Sequence, residues 1–187
     1  MTADGRAIDI VAKIGYLFLI VLLFCLADDF KNKLRCWGLY VFFAMMCFLR
    51  ESGIQHHLST TDTTLFKSRF FLDAGNPLYE KFIFGIVLLM ILGGVLYLAQ
   101  KYAKYLVRSF FKLDTVTWSI ATLCTTGVFA KIIDRFPSNY RKFHDGEILP
   151  QGIYTFLQVL EETSEMFLPY LAMLILAQYH ILLKGKR

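Results

Sequence analysis

The chain is poor in charge, proline, cysteine and histidine, and each shortage excludes something. Only 19% of the 187 residues are Asp, Glu, Lys or Arg, whereas a soluble domain carries about 25%. Four prolines set against eighteen phenylalanines exclude a disordered chain, because such chains lack the aromatic residues needed for burial. The four cysteines, Cys25, Cys36, Cys47 and Cys124, contain no C-x-x-C pair and lie in or beside apolar runs. They read as small buried residues and not as a disulfide framework. The four histidines form no H-E-x-x-H pair and no E-x-x-H pair of the di-iron bundle type, so no known metalloenzyme signature is present. There is no Gly-rich phosphate loop and no nucleic-acid motif, so nucleic acid is not an expected partner.

What is there is hydrophobic: 56% of the residues, with aromatics alone making up 16% of the chain. The apolar residues are bunched. Runs cover 8–26, 36–49, 82–98, 116–133 and 155–183, the last with its apolar part at 166–183. A run of about 18 or more apolar residues matches the thickness of a bilayer core. Backbone groups in hydrocarbon must be satisfied within the segment or by a closed barrel. Barrel strands alternate in polarity, whereas these runs are apolar all round. The expected fold is therefore all-α, a single polytopic helix bundle over 1–187 with about five spans. The 36–49 run is the short one, at about 21 Å, which makes four spans the alternative count. The first run also loosely resembles a secretory signal peptide, with Cys25, Leu26 and Ala27 before Asp28. Its length favours an anchor. Gly93, Gly94 and the Thr-rich fourth run suit close helix contacts.

Orientation follows from charge. With five spans, one side holds the loops at 27–35 and 99–115 and the C-terminus. That side carries ten basic and three acidic residues, net +7; the other carries ten basic and twelve acidic, net −2. The basic residues of the first side lie in short segments near helix ends, as in cytoplasmic loops. The N-terminus is thus expected outside and the C-terminus in the cytoplasm. Lys101, Lys104, Arg108 and Lys112 recur every three or four residues. They make 99–112 a basic amphipathic helix that continues the third span and contacts anionic lipid headgroups.

The acids gather on the opposite side. Glu161, Glu162 and Glu165 lie at i,i+3 and i,i+4 spacing where the fifth helix enters the bilayer. Three arrangements would relieve their repulsion. One is a charge network in which Arg50, Lys81, Lys131 or Arg135 neutralises them, with Asp134 beside it. A second is a site for Zn or another divalent metal, built from His56 or His57 with Glu51, Asp62 and one or two of the glutamates Glu161, Glu162 and Glu165. Such a metal would activate water for hydrolysis of a lipid or peptide at the interface, with Glu51, Glu161 and Glu165 as candidate catalytic groups. A third is a proton or ion pathway through Glu161, Glu165 and His56. Residues 51–81 read as an ordered outer loop, with capping residues at 60–64 and a short aromatic segment at 65–71.

Several strings carry a resemblance: Leu49, Arg50 and Glu51 followed by His56; Lys67, Ser68, Arg69, Phe70 and Phe71; Pro77 to Lys81; and Leu160 to Glu165. Together they resemble a set of uncharacterised small bacterial polytopic inner-membrane proteins, over most of 45–180. The resemblance implies a bacterial inner-membrane location and no activity. A second comparison is with the alkaline ceramidase-like membrane hydrolases, whose zinc is held by several histidines; this chain has too few within its spans. The expected function is that of a membrane subunit, sensor or scaffold in a homo-oligomer or membrane-protein complex. The enzyme alternative is the interfacial metal hydrolase.

Overall fold

The computed structural model describes residues 3–27, 37–53, 71, 77–112, 114–144, 147 and 149–184. Among the described residues there are five helices: α1 (Ala3–Cys25), α2 (Trp37–Glu51), α3 (Leu78–Phe110), α4 (Thr115–Phe143) and α5 (Gln151–Lys184). No strand occurs among the described residues. The fold is all-α, and four helices, α1, α3, α4 and α5, are long and apolar enough to cross a membrane.

The helix ends differ instructively from the apolar runs. The 15 residues of α2 give a rise of about 22 Å, less than the bilayer core, so α2 falls outside the group of spanning length. The basic stretch is the C-terminal part of α3, which runs unbroken to Phe110, with Phe111 and Lys112 in a turn. At 29 and 34 residues, α4 and α5 extend for about 43 and 51 Å. Both outrun a core of ~30 Å and carry polar ends beyond it. Most of the expected outer loop, 54–70 and 72–76, lies outside the described residues.

The chain divides into two compact units, 1–22 with 109–187 and 23–108. In the first unit, α4 and α5 form an antiparallel pair. Gly127 faces Leu168, and Lys131 reaches Glu165. Asp114 caps α4 by accepting from the Thr117 backbone N–H at 3.2 Å and from its hydroxyl at 2.9 Å, which satisfies an otherwise orphan donor of the first turn. α1 joins this unit through Gly15. A Cβ there would lie 2.9 Å from Pro169 Cγ and 3.1 Å from the Tyr170 ring, and the Tyr170 hydroxyl donates to the carbonyl of Val11 at 3.2 Å. Ala12, Tyr16 and Leu19 continue the buried stripe of α1 at the spacing of one helical face.

In the second unit, α2 lies against α3 where Gly94 admits Phe43 and Leu39 of α2; a Cβ on Gly94 would stand 2.9 Å from Phe43 Cζ. Trp37 starts α2 and donates its indole N–H to the carbonyl of Leu23 at 3.0 Å, with its ring edge-on to Phe24. The rest of α3 is turned inside out relative to a soluble helix. Its buried residues are Glu80, Gly94 and Ser109, whereas Phe82 is 74% and Leu89 69% exposed. A soluble protein would bury the second set and expose the first. Hydrocarbon as solvent reverses the preference.

Two packing expectations change. Cys25, Cys47 and Cys124 are exposed and not buried. A cysteine behaves as a small hydrophobe, so a lipid-facing position costs it little. Two of the α4 hydroxyls, those of Ser119 and Thr122, bond within their own helix, donating back to the carbonyls of Thr115 and Trp118. Such back-bonding satisfies a hydroxyl within its own helix.

Candidate functional site

The polar ends of α4 and α5 enclose a cleft of about 420 Å³. The sequence builds it from two matching faces. On α4, Asp134, Ser138 and Arg141 follow one another at four and three residues. On α5, Tyr154, Gln158 and Glu161 do the same. Each set therefore lies on one helical face. Because the helices run antiparallel, the two sets meet in reverse order. Asp134 and Glu161 share the end next to the apolar halves, and Arg141 and Lys142 share the far end with Tyr154. Ile133, Pro137 and Leu157 form the apolar floor. A volume of this size is within the ordinary range for small-ligand sites.

At the membrane-proximal end one ammonium serves two carboxylates. Lys131 Nζ lies 3.1 Å from Glu165 Oε1 and 3.3 Å from Asp134 Oδ2. The Glu165 side chain is only 15% exposed and that of Lys131 50%. A carboxylate at that depth would be costly without a counter-charge. One turn earlier on α5, Gln158 donates its amide N–H to Glu162 Oε1 at 3.0 Å. Pro137 also lines the cleft, and it has no N–H to donate to the carbonyl of Ile133, its partner four residues earlier.

The expected polar residues are thus sorted rather than gathered. Glu165 turns to Lys131, Glu162 to Gln158 on its own helix, and Glu161 lines the cleft with Asp134. Arg135 is exposed. Arg50, Glu51 and Lys81 belong to the other unit. His56, His57 and Asp62 lie outside the described residues. No group of three or more His, Cys, Asp or Glu placed to hold a metal occurs among the described residues. Of the basic stretch, Lys101, Lys104 and Arg108 are exposed on α3 and Lys112 in the turn after it. Lys101 Nζ sits over the rings of Tyr97 and Tyr102, at 5.5 and 5.3 Å from their centroids, the distance of a cation–π contact.

Sequence reasoning missed Ser138, Lys142, Tyr154, Pro137 and Leu157 as site residues. The signal that could have found the polar ones is the repeated four-then-three spacing on two neighbouring helices. The chain matches no protein-family model, no curated protein and no solved structure.

Proposed function

We propose that this is an integral protein of a bacterial inner membrane that works as a subunit, sensor or scaffold through helix association. The observation that carries the reading is the inverted surface of α3, apolar outside and polar or small inside. Such a surface is at home only against lipid tails or another apolar helix. In this reading the polar ends of α4 and α5 project on the outer side, with the N-terminus outside and the C-terminus in the cytoplasm. The basic end of α3 then lies at the inner leaflet, where Lys101, Lys104, Arg108 and Lys112 meet anionic headgroups.

Cross-linking in native membranes tests the association. A defined homo-oligomeric or mixed species is the expected outcome, and a strictly monomeric chain overturns it. Accessibility tags at the two termini test the topology. Opposite sides are expected, which requires α2 to cross with flanking residues such as Arg50 snorkelling to the interface. Tags on one side would reduce the spans to four and cancel the assigned orientation.

A further inference from the structure

The cleft between α4 and α5 has its charges engaged at one end and unengaged at the other. Toward the apolar halves, Asp134 is paired with Lys131, whose ammonium also holds Glu165. Glu161 is not a free carboxylate either. At the far end stand Arg141, Lys142, Ser138 and Tyr154. Among the described residues, no hydrogen bond or ion pair engages any of these four side chains. All four are exposed, so a solute can reach them.

Two features of the sequence bring these donors together. On α4, Ser138 precedes Arg141 by three residues and Lys142 by four, the spacings that make neighbours on a helix surface. Side chains lean toward the N-terminus of their helix. For α4 that is the apolar half, so the two cations reach back over Ser138. Across the pair, the contact of Lys131 with Glu165 sets the register. Lys142 lies eleven residues beyond Lys131, and Tyr154 lies eleven before Glu165. The antiparallel course therefore puts the Tyr154 hydroxyl opposite the cations.

We infer that this end of the cleft binds a phosphate ester, its oxygens held by Arg141, Lys142, Ser138 and Tyr154. The inference stands on the α4–α5 pair alone and goes beyond the association reading. A guanidinium takes two phosphate oxygens in a bidentate pair, and an ammonium adds a point charge. A phosphate group offers three strong acceptor oxygens, enough to engage two cations and two hydroxyl donors together. A carboxylate has only two oxygens, and a bidentate guanidinium takes both. The organic part of the ester has a place as well. Ile133, Pro137 and Leu157 form an apolar floor that runs from the donors toward the apolar halves, in a cleft of about 420 Å³.

A lipid headgroup and a soluble phosphate monoester share this chemistry. The depth of the site admits both. Arg141 stands eight residues beyond Ile133, about 12 Å along the helix. The headgroup layer extends about 5–7 Å beyond the hydrocarbon core, and the cations lean back toward it. A lipid enters along the floor with its phosphate outermost, and a soluble ester enters from the open side.

Calorimetry on the purified full chain in maltoside micelles tests the inference, with glycerol 3-phosphate, dihexanoyl phosphatidic acid and acetate as probes. At least one of the two phosphate esters should bind with a Kd of about 1 mM or tighter, about tenfold or more better than acetate. The binding should survive Lys101→Gln with Lys104→Gln and Arg108→Gln, which removes the basic surface of α3. In that background, Arg141→Gln with Lys142→Gln should weaken it about tenfold or more. Tyr154→Phe and Ser138→Ala change no charge, and each should weaken it about threefold. These hydroxyl effects distinguish a built site from general attraction of an anion, and each of the two variants removes a single oxygen from an exposed residue. Preference for the lipid assigns the site to a headgroup; equal or better binding of glycerol 3-phosphate assigns it to a soluble ester. Absence of binding by both esters, equal binding of acetate, loss of binding with the α3 cations, or unchanged affinity in the cleft variants overturns the inference.

Discussion

Lys131 of α4 and Glu165 of α5 are joined across the helix pair, Nζ to Oε1, at 3.1 Å. This pair fixes the register of the antiparallel hairpin, and the register decides which residues face one another in the cleft beyond it. Lys131→Met should lower stability by about 1 kcal/mol, a modest figure because half of the lysine side chain is exposed and solvent screens it. Much of that cost is the carboxylate left behind in a poorly solvated position. The double variant Lys131→Met with Glu165→Met should therefore lose less than the two single variants added together. Thermal unfolding in micelles, arranged as a double-mutant cycle, measures the difference. Strict additivity would show that the pair does not couple the helices.

Two adjacent glycines of α3 should respond in opposite directions. A Cβ on Gly93 meets nothing within 4 Å, whereas one on Gly94 meets Phe43 Cζ at 2.9 Å and Leu39 Cδ2 at 3.2 Å. Gly93→Ala should then be neutral or stabilising, by up to about 1 kcal/mol from helix propensity alone. Gly94→Ala forces a ring and a leucine to move and should cost about 1 kcal/mol or more. Unfolding midpoints of the two variants check this, and equal midpoints would mean that α2 does not pack at Gly94.

The contrast also shows what the sequence could and could not reveal. Gly93 and Gly94 look alike in the chain, and both suggest a close contact. Only the rotation of α3 against α2 decides that Gly94 faces the partner. The helices themselves were legible, because a bilayer leaves an apolar run few alternatives to a helix. The role of Lys131 was legible in kind, as a counter-charge for the fifth-helix glutamates. Its choice of Glu165 was not, since this depends on where α4 and α5 meet. The cleft was hidden for the same reason. Asp134 and Glu161 are 27 positions apart in the chain, and only an antiparallel register brings them to one end. Gly15 and Pro169 carried no local signal either, because their contact spans almost the whole chain.

The basic end of α3 should matter for lipid and not for folding. Lys101, Lys104 and Arg108 are exposed, and Lys101 rests on Tyr97 and Tyr102, which hold its ammonium near the helix surface. Changing all three to Gln should leave the unfolding midpoint nearly unchanged. It should weaken association with anionic lipid by about 1 kcal/mol per residue at low salt. Retention of anionic against zwitterionic lipid by the purified protein, measured at two ionic strengths, reads the effect. Unaltered retention would remove the inner-leaflet role assigned to this stretch.

The sharpest packing test lies where α1 meets α5. Gly15 admits the Pro169 ring so closely that a methyl group would lie 2.9 Å from Cγ, with Tyr170 at 3.1 Å. A proline ring cannot swing aside as a long side chain does, so Gly15→Ala should cost about 1–3 kcal/mol. Tyr170→Phe removes only the bond to the Val11 carbonyl, which should cost about 0.6 kcal/mol, the usual scale of such bonds between membrane helices. Adding Pro169→Ala to Gly15→Ala supplies a decisive control. It removes the obstructing ring and gives position 169 an N–H for the carbonyl of Glu165, which proline cannot serve. The double variant should therefore unfold at a higher temperature than Gly15→Ala alone. If the second substitution lowers the midpoint further, the cost of Gly15→Ala does not come from the ring, and the contact between Gly15 and Pro169 is not what holds α1 to α5.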